Sequence, residues 1–534
     1  MSGDRLYLYD TTLRDGAQTQ GVDFSAEDKR AIAEALDRLG IDYIEGGWPG
    51  ANPTDDRFFA ERPAPTKSRL AAFGMTRRSG RSAANDPGLA ATLGAGATVA
   101  TLVGKTWDFQ VDVALGVSLD ENLAMISESI AHAASRVREV VFDAEHFFDG
   151  WKASAGYALA CLEVAHKAGA RWLVLCDTNG GTLPHEIDEV VRSAAARVPA
   201  EKLGIHCHDD TGNAVANSLA AVRAGARMIQ GTLNGLGERC GNANLVTLIP
   251  TLILKLGYVT GINSEGLRRL TQVSHLLDER LNRAPSRQAP YVGESAFAHK
   301  GGLHASAVEK DPRAYEHVDP AVIGNRRHVV VSDQAGRSNL LARFREIGIE
   351  AAAADPRLPR LIDQVKAREA EGYAYDGAEA SFELLARRAF GQVPDYFSVK
   401  RFRVMDERRF NARGDLVTES EATVTIGIGN ALHHEVAMGN GPVNALDTAL
   451  RKALGNLYPL LDQVRLVDYK VRILTPSGGT NAVTRVMIES ADRKGQRWDT
   501  VGVSPNIIDA SIDALSDSIT WKLLREGVPA AQAA

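Results

Sequence analysis

The chain has 534 residues, of which 44% are hydrophobic and 24% are charged, and its formal net charge is −6. This composition is typical of globular proteins, and the length exceeds what one hydrophobic core usually holds, so we expect two or three domains. The weak negative charge, without a broad basic field, argues against nucleic acid and anionic membranes as partners. No stretch approaches the roughly 18 apolar residues of a membrane span, and the charged N-terminus is unlike a signal peptide, so we expect a cytoplasmic location.

The first half of the chain alternates short β-branched runs with longer amphipathic segments. Amphipathic periodicity predicts helices over residues 26–39, 119–137, 156–168, 186–197 and 214–224. Eight runs are predicted as strands: 6–10, 42–45, 69–73, 98–103, 139–145, 172–177, 203–208 and 227–232. Eight βα units in this length predict an α/β protein with a (β/α)8 TIM barrel. A doubly wound sheet remains the alternative, because the order of the strands cannot be read from the sequence.

Polar side chains occur at or just after the end of nearly every predicted strand. In a barrel of this type the carboxyl ends of the strands surround the active site, so these side chains are expected to share a pocket. They are Asp10, Arg14, Asp15, Glu45, Arg77, Lys105, Glu145, Asp177, Thr178, His206, His208 and Asn234.

The seventh predicted strand carries the strongest local signal, a pair of histidines. Because side chains in a strand alternate with period two, His206 and His208 point the same way and form half of a metal site. Asp15, after the first strand, is the natural anionic third ligand, since strands one and eight close a barrel, and Asn242 is a candidate for a further oxygen. Such a set suits Mn²⁺, Mg²⁺, Co²⁺ or Zn²⁺ and leaves positions for substrate. Taken alone, the histidine pair is equally compatible with an ordinary hydrogen-bonded strand.

The four cysteines contain no C-x-x-C pair, which indicates reduced and mostly buried thiols. They are Cys161, Cys176, Cys207 and Cys240. Two of them, Cys207 and Cys240, are neighbours of the expected ligands, so a sulfur ligand stays open.

Two long motifs resemble the signatures of the isopropylmalate synthase and homocitrate synthase family. One is Leu13-Arg-Asp-Gly-Ala-Gln18 followed, after ten residues, by Lys29, and the other spans residues 203–216. The wider group also holds hydroxymethylglutaryl-CoA lyases and pyruvate-dependent carboxylases. Within it, the stretches 45–53, 142–150 and 296–304 look most like the longer citramalate synthases, and the resemblance covers nearly the whole chain.

This resemblance implies a barrel that uses a divalent metal to condense acetyl-CoA, as co-substrate, with a 2-oxo acid, most simply pyruvate. It implies metal ligands at Asp15, His206 and His208, with Asn242 as a further contributor. The other functional positions that it implies are Arg14, Gln18 and Thr178 for substrate binding, Glu145 for acid/base work, and His304 and Tyr315 on a segment that reaches into the active site of the partner subunit.

The sequence as a whole predicts three parts. Residues 1–265 form the catalytic barrel, residues 266–392 form a helical linker with an active-site arm, and residues 393–534 form a C-terminal domain. In the arm, glycines beside His299, Lys300 and His304 suggest backbone close to a ligand, or a plain linker turn.

The C-terminal domain contains two similar strand–strand–helix (ββα) units, over 422–454 and 483–523. This α+β duplication resembles the regulatory dimerisation domain of the same family, which implies a homodimer and an amino-acid effector, isoleucine. The helix starts of the two units suit either a carboxylate site or a tight turn.

Three other functions remain open from the sequence. The first is another synthase of the group, above all isopropylmalate synthase, because a few side chains around the oxo acid decide the substrate. Large residues such as Phe73 or Leu102 are candidates to fill a pocket for pyruvate. The second is a metal-dependent lyase on the same barrel, and the third is an amino-acid sensor with an inactive barrel.

Overall fold

The computed structural model describes residues 4–61, 65–299, 302–329, 337–352, 354–410, 412–475, 479 and 481–531. Two compact units make up the chain. The first unit comprises Met1–Phe297 and His317–Arg327, and the second comprises Ala298–Glu316 and His328–Ala534. None of the helices in the described ranges combines the length and the apolar character that crossing a membrane requires.

The first unit contains a closed barrel of eight parallel strands, in which β1 pairs with both β2 and β8. The predicted TIM barrel is therefore confirmed, and the doubly wound alternative is wrong, because an open sheet has two unpaired edges. The strands are β1 (Tyr7–Asp10), β2 (Tyr43–Gly47), β3 (Arg69–Met75), β4 (Val99–Lys105), β5 (Glu139–Glu145), β6 (Trp172–Asp177), β7 (Leu203–Cys207) and β8 (Met228–Gly231).

Helices surround the barrel and begin and end at the residues that helix chemistry favours. In α1, Ser25 and Asp28 form a capping box at the start, and Gly40 ends the helix at φ 102°, a left-handed conformation that glycine adopts without strain. The helices are α1 (Ala26–Leu39), α2 (Pro53–Ala60), α3 (Pro87–Gly94), α4 (Asp108–Gln110), α5 (Leu119–Ala134), α6 (Phe147–Lys167), α7 (Pro184–Ala195), α8 (Ala214–Ala224), α9 (Leu245–Pro250), α10 (Ser264–Leu267) and α11 (Leu270–Arg280).

The barrel strands separate two hydrophobic layers. The outer layer lies between strands and helices and includes Leu102 and Cys207. The inner layer fills the lumen with side chains such as Tyr43, Trp172 and Met228, so the lower part of the barrel is solid. Because of this filling, only the mouth at the carboxyl ends of the strands is left for a ligand.

The second unit contains a helical part and two sheet-and-helix repeats. Each repeat is a three-stranded antiparallel sheet followed by a helix, so each has one strand, β11 or β14, ahead of the two that the sequence predicts. The elements are β9 (Ala298–His299), α12 (Gly302–Lys310), β10 (His328–Val329), α13 (Arg337–Ile347), α14 (Arg357–Glu371), α15 (Glu379–Ala389), β11 (Ser398–Phe410), β12 (Leu416–Ile428), β13 (Ala431–Gly439), α16 (Pro442–Gly455), β14 (Arg465–Ile473), β15 (Thr484–Ala491), β16 (Arg497–Ser504) and α17 (Ile507–Arg525).

Helix α15 packs against the last helix of the chain through buried polar groups. The Glu383 carboxylate accepts hydrogen bonds from Trp521 Nε1 at 2.8 Å and from Arg525 at 2.7 Å. Ser381 donates to Asp517 at 2.9 Å on the same contact. A division of the chain between residues 392 and 393 therefore separates α15 from the helix that it contacts.

Candidate active site

A cavity of about 300 Å³ opens at the carboxyl ends of the barrel strands. Seven of the predicted strand-end residues line it, together with groups that the sequence did not single out. The lining residues are Arg14, Asp15, Gln18, Trp48, Phe73, Met75, Val103, Lys105, Asp143, Glu145, Cys176, Thr178, His206, His208, Glu238 and Arg239.

The structure brings three predicted metal ligands together at the floor of this cavity. Asp15, His206 and His208 each offer one ligand atom, and these atoms lie within 4.8 Å of one another. Asp15 lies in the turn after β1, which is next to β8, and β8 is next to β7 with its two histidines. Nε2 of His206 lies 3.2 Å from Oδ2 of Asp15.

The charges of this cluster favour ligand forms of its side chains. Burial alone raises the pKa of Asp15, but the Arg14 guanidinium and His206 outweigh it and hold that pKa well below its usual range. Burial and the neighbouring His206 lower the pKa of His208 to about 4, so this imidazole is neutral at pH 7 and has a lone pair to give. A carboxylate beside a neutral imidazole is a common pair of ligands for a divalent cation.

Two orphaned polar atoms next to the cluster also fit a cation. Within the described residues, His208 Nδ1 and Asn242 Oδ1 are buried without a hydrogen-bond partner. Buried polar atoms are rarely left unpaired, so each calls for a partner that protein atoms do not supply here. Asn242 Nδ2 donates to Asp15 Oδ2 at 2.7 Å, which fixes this side chain at the site. The donor set of imidazole, carboxylate and amide groups therefore suits a divalent metal.

The cysteines do not extend this set. Cys161, Cys176 and Cys207 are buried and Cys240 is exposed, as expected for reduced thiols. Cys207 faces the outer core rather than the cavity. Among the described residues, the group of side chains close enough to share a metal contains Asp15, His206 and His208 and no cysteine.

Arg14 is fixed between a buried carboxylate and an aromatic ring. Its Nε donates to Glu45 Oε2 at 2.7 Å, and its guanidinium carbon lies 4.0 Å from the centre of the Phe73 ring. Tyr9 donates to the other oxygen of Glu45 at 2.9 Å. One terminal nitrogen, Nη1, lies 3.7 Å from Asp15 Oδ1, and the terminal N–H groups face the cavity, where they suit an anionic ligand.

The opposite wall carries the two remaining predicted groups of the barrel. Glu145, the last residue of β5, pairs with Lys105 of β4 at 2.5 Å. The Thr178 hydroxyl accepts the backbone N–H of His146 at 2.8 Å, so its own proton is free to donate to a ligand. His146 has φ 57°, in the left-handed region that residues with a side chain seldom adopt.

Several predicted residues do not line the cavity. Arg77 pairs with Glu121 and Glu128 of α5, and the prediction that it shares the pocket is wrong. The same correction applies to Asp177, which accepts hydrogen bonds from Thr182, and to Asn234, which bonds Ser274 and Asp278. Asp10 likewise binds Thr12 and does not line the cavity. Leu102 belongs to the outer core, so of the two residues proposed to fill the pocket only Phe73 lines the cavity.

His304 and Tyr315 belong to the second unit, whereas all the lining residues belong to the first. Within that unit the two rings stack, with centroids 4.2 Å apart. Both side chains are largely exposed. Nε2 of His299 and Oε1 of Glu316 lie 3.2 Å apart, within hydrogen-bonding distance. Lys300 lies outside the described residues.

Asp143 and Gln230 are two buried polar residues inside the barrel that were not predicted from the sequence. Asp143 lies two residues before Glu145 on β5 and therefore faces the same side. Burial and the Glu45 carboxylate raise the pKa of Asp143 to about 7. Gln230 on β8 bridges Asp143 and His206. The sequence did contain a sign of both residues: each lies two positions from a residue of the same strand that faces into the barrel, so its polar side chain must face inward too.

Comparison with known families divides the chain into three matched segments. Residues 5–274 match the HMGL-like family, residues 291–372 match a homocitrate synthase post-HMGL domain, and residues 376–523 match the LeuA allosteric (dimerisation) domain. These segments follow one another in the order expected for a synthase with a C-terminal regulatory module.

Curated relatives match the chain over nearly its whole length. An (R)-citramalate synthase of Aquifex aeolicus is 52% identical over 525 residues, which cover 98% of each chain. An (R)-citramalate synthase of Geobacter sulfurreducens is 49% identical and covers 97% of each chain. A 2-isopropylmalate synthase of Pseudoalteromonas atlantica is 30% identical over 96% of this chain and 95% of its own.

Proposed function

Since this chain belongs to the (R)-citramalate synthase family, within the HMGL-like enzymes, we propose that the cavity at the barrel mouth is its active site. The protein is an acyltransferase that condenses the methyl carbon of acetyl-CoA with the ketone of pyruvate; water then hydrolyses the thioester, which releases citramalate and CoA. The observation that carries the placement of the site is the convergence of Asp15, His206 and His208 within 4.8 Å, in the same cavity as Arg14.

We assign Asp15, His206 and His208 as metal ligands, with Asn242 as a further contributor. Enzymes of this family depend in general on a divalent metal; its identity here is open among Mn²⁺, Mg²⁺, Co²⁺ and Zn²⁺. When bound, the metal supplies Lewis-acid polarisation of the ketone of the 2-oxo acid. The protein contributes the shape and the charge of the site around it.

In our proposal the chain's own residues do the binding and the proton transfer. Arg14, fixed by Glu45, binds the oxo acid with its terminal N–H groups and stabilises the negative charge that develops on the ketone oxygen. Thr178 donates its hydroxyl proton to the carboxylate of pyruvate, and Gln18 binds the substrate from the turn after β1. Glu145 takes the proton from the methyl group of acetyl-CoA once substrate entry separates it from Lys105.

The apolar part of the lining suits the methyl group of pyruvate. Phe73, Met75 and Val103 all line the cavity. The Phe73 ring contacts the Arg14 guanidinium and forms a T-shaped pair with Trp48, whose ring centroid lies 5.3 Å from its own. It cannot move aside for a branched side chain without losing these contacts. We therefore expect discrimination against 2-oxoisovalerate.

The test of the function is CoA release from acetyl-CoA, measured separately with pyruvate, 2-oxobutanoate, 2-oxoisovalerate and 2-oxoglutarate. Pyruvate is expected to give the highest kcat/KM. A kcat/KM for 2-oxoisovalerate that is about tenfold higher than that for pyruvate, a difference of roughly 1.4 kcal/mol in transition-state binding, refutes the assignment and makes the protein an isopropylmalate synthase.

We further propose that the protein works as a homodimer through the module that matches the LeuA dimerisation domain. His304 and Tyr315 are proposed as catalytic residues that one subunit contributes to its partner. Isoleucine, the end product expected downstream of citramalate, is proposed as the effector of the C-terminal module. The division into residues 1–265, 266–392 and 393–534 and the cytoplasmic location likewise remain proposals.

A further inference from the structure

Gln230 is a fully buried side chain in β8 that touches a proposed metal ligand. Its Oε1 lies 2.8 Å from Nδ1 of His206, its register neighbour on β7. Its Nε2 donates to Asp143 Oδ1 at 2.9 Å. The amide thus joins a carboxyl group of β5 to an imidazole of β7 across the lumen of the barrel.

The direction of the amide decides which nitrogen of His206 carries a proton. Asp143 Oδ1 accepts a hydrogen bond, so the NH₂ group of Gln230 faces Asp143 and its carbonyl oxygen faces His206. A carbonyl oxygen only accepts, and therefore Nδ1 of His206 must donate. In the neutral imidazole this leaves Nε2 unprotonated, and Nε2 is the nitrogen that lies 3.2 Å from Asp15.

The reversed amide has the opposite effect. Its NH₂ group would face Nδ1 of His206, which would then have to accept, and the proton of the neutral ring would move to Nε2. A protonated Nε2 has no lone pair for a metal. An ionised Asp143 carboxylate only accepts hydrogen bonds, so it favours the observed direction of the amide over the reversed one.

We propose that Gln230 is a positioning residue that holds His206 in the Nδ1–H tautomer, with Nε2 presented to a divalent metal. This inference rests on the metal centre proposed above and adds a residue that acts on it only through His206. His208 has no such support, because its Nδ1 has no partner within the described residues. Groups that orient metal-bound histidines commonly raise metal affinity, and their loss costs on the order of 10- to 100-fold.

The test measures metal affinity rather than turnover. The full-length chain is stripped with a chelator and titrated with Mn²⁺ or Co²⁺ by calorimetry, for the natural chain and for Gln230→Met, which keeps the shape and removes both hydrogen bonds. We expect the substitution to weaken metal binding about 10- to 100-fold. A matched control is Asn217→Leu, which removes another fully buried amide that donates to Thr182 O at 2.7 Å, on α8 and outside the cavity.

Equal affinity of the natural chain and of folded Gln230→Met would overturn the proposal, and so would an equal loss in Asn217→Leu. A natural chain that binds no divalent metal at all would refute the metal centre itself. If Gln230→Met does not fold, ¹⁵N spectra of the natural Zn²⁺-loaded chain decide, with the His206 signals assigned from their loss in His206→Asn. A protonated Nδ1 and a metal-bound Nε2 support the proposal; the reverse pattern overturns it.

Discussion

Arg14 and Glu45 form a buried ion pair, with Nε of the arginine 2.7 Å from Oε2 of the carboxylate, at the side of the cavity that faces the proposed metal ligands. The pair takes one N–H of the guanidinium and fixes its plane on the Phe73 ring. A lysine has a single ammonium group, so it can satisfy Glu45 or a substrate but cannot hold both in one plane.

Arg14→Lys should therefore keep the fold and lose turnover. We expect kcat/KM with pyruvate to fall by about 10²-fold or more, since the lost donor stabilises the charge of the transition state. The control is Arg57→Lys, whose side chain is 76% exposed on α2. Steady-state kinetics check the prediction, and a loss of less than about fivefold in Arg14→Lys would show that charge alone is enough.

Removal of the metal should abolish activity reversibly. After exhaustive chelation we expect turnover to fall by at least about 10²-fold and to return on addition of Mn²⁺, Mg²⁺, Co²⁺ or Zn²⁺. His208→Ala should lose activity and not regain it with added metal, whereas His185→Ala, exposed on α7, should behave as the natural chain. Full activity in chelator, with metal content verified by elemental analysis, contradicts the metal-dependent assignment.

Asp37 gives the first unit a pH-dependent contribution to stability. Its carboxylate accepts the backbone N–H groups of Thr66, Lys67 and Ser68 and the Thr66 hydroxyl, at 2.7–3.0 Å. Burial opposes ionisation, but these backbone N–H groups prevail and lower the pKa of Asp37 to about 2, from an ordinary value of 3.8. Because the folded-state pKa is the lower one, the stabilisation is complete above about pH 4 and is lost as the pH falls toward 2.

Asp37→Asn should consequently lower the melting temperature at pH 7 by about 2–6 °C, for a loss of about 1–2 kcal/mol. The difference from the natural chain should shrink as the pH is lowered from 7 to 3. Asp188→Asn, in an exposed pair with Arg192 on α7, is the control and should change little at either pH. Thermal unfolding followed by circular dichroism checks this. A difference that is the same at both pH values assigns the effect to shape and not to charge.

Strand periodicity carried much of the site prediction and also explains one of its gaps. His206 and His208 were identified because they share a face of one strand, and that face proved to be the inward one. The same alternation separates Phe73, which lines the cavity, from Leu102, which lies in the outer core, although their size gives no sign of it. Gln230 is in phase with the inward-facing Met228, which is a local signal for a lumen position. Its role was not predicted, because that role depends on Asp143 and His206 from two other strands.

The strands β11 and β14 were not predicted for a different reason. Both are edge strands with one neighbour each, and most of their residues are exposed. Charges along β11, such as Arg408 and Arg409, hide the alternation on which a strand prediction depends. Edge strands commonly carry such charges because they discourage further pairing.

His304 is predicted to act in the active site of a partner subunit. The motivating observation is that its ring stacks on Tyr315 in the second unit, on the segment that resembles the exchanged arm of the family. Asp15→Ala and His304→Ala homodimers should each be inactive, and mixed dimers should recover up to about a quarter of natural activity, since random exchange yields mixed dimers with one intact site. Mass spectrometry of the mixed dimers verifies exchange. No recovery after verified exchange counts against a shared site.

The C-terminal module is predicted to bind isoleucine and to transmit inhibition. Its two helix starts differ: α16 begins after Gly441 without a side-chain cap, whereas Asn506 caps α17 by accepting the N–H of Ile508. The start of α16 therefore has backbone N–H groups without a side-chain cap, which suit a carboxylate. Binding there inhibits only if isoleucine prefers a less active arrangement of the subunits, so inhibition and a change in acetyl-CoA affinity should appear together.

Calorimetry on the intact chain and on a fragment of residues 376–531, which retains α15 with α17, measures the binding of isoleucine. If neither binds isoleucine, leucine or valine at millimolar concentration, the module serves dimerisation alone.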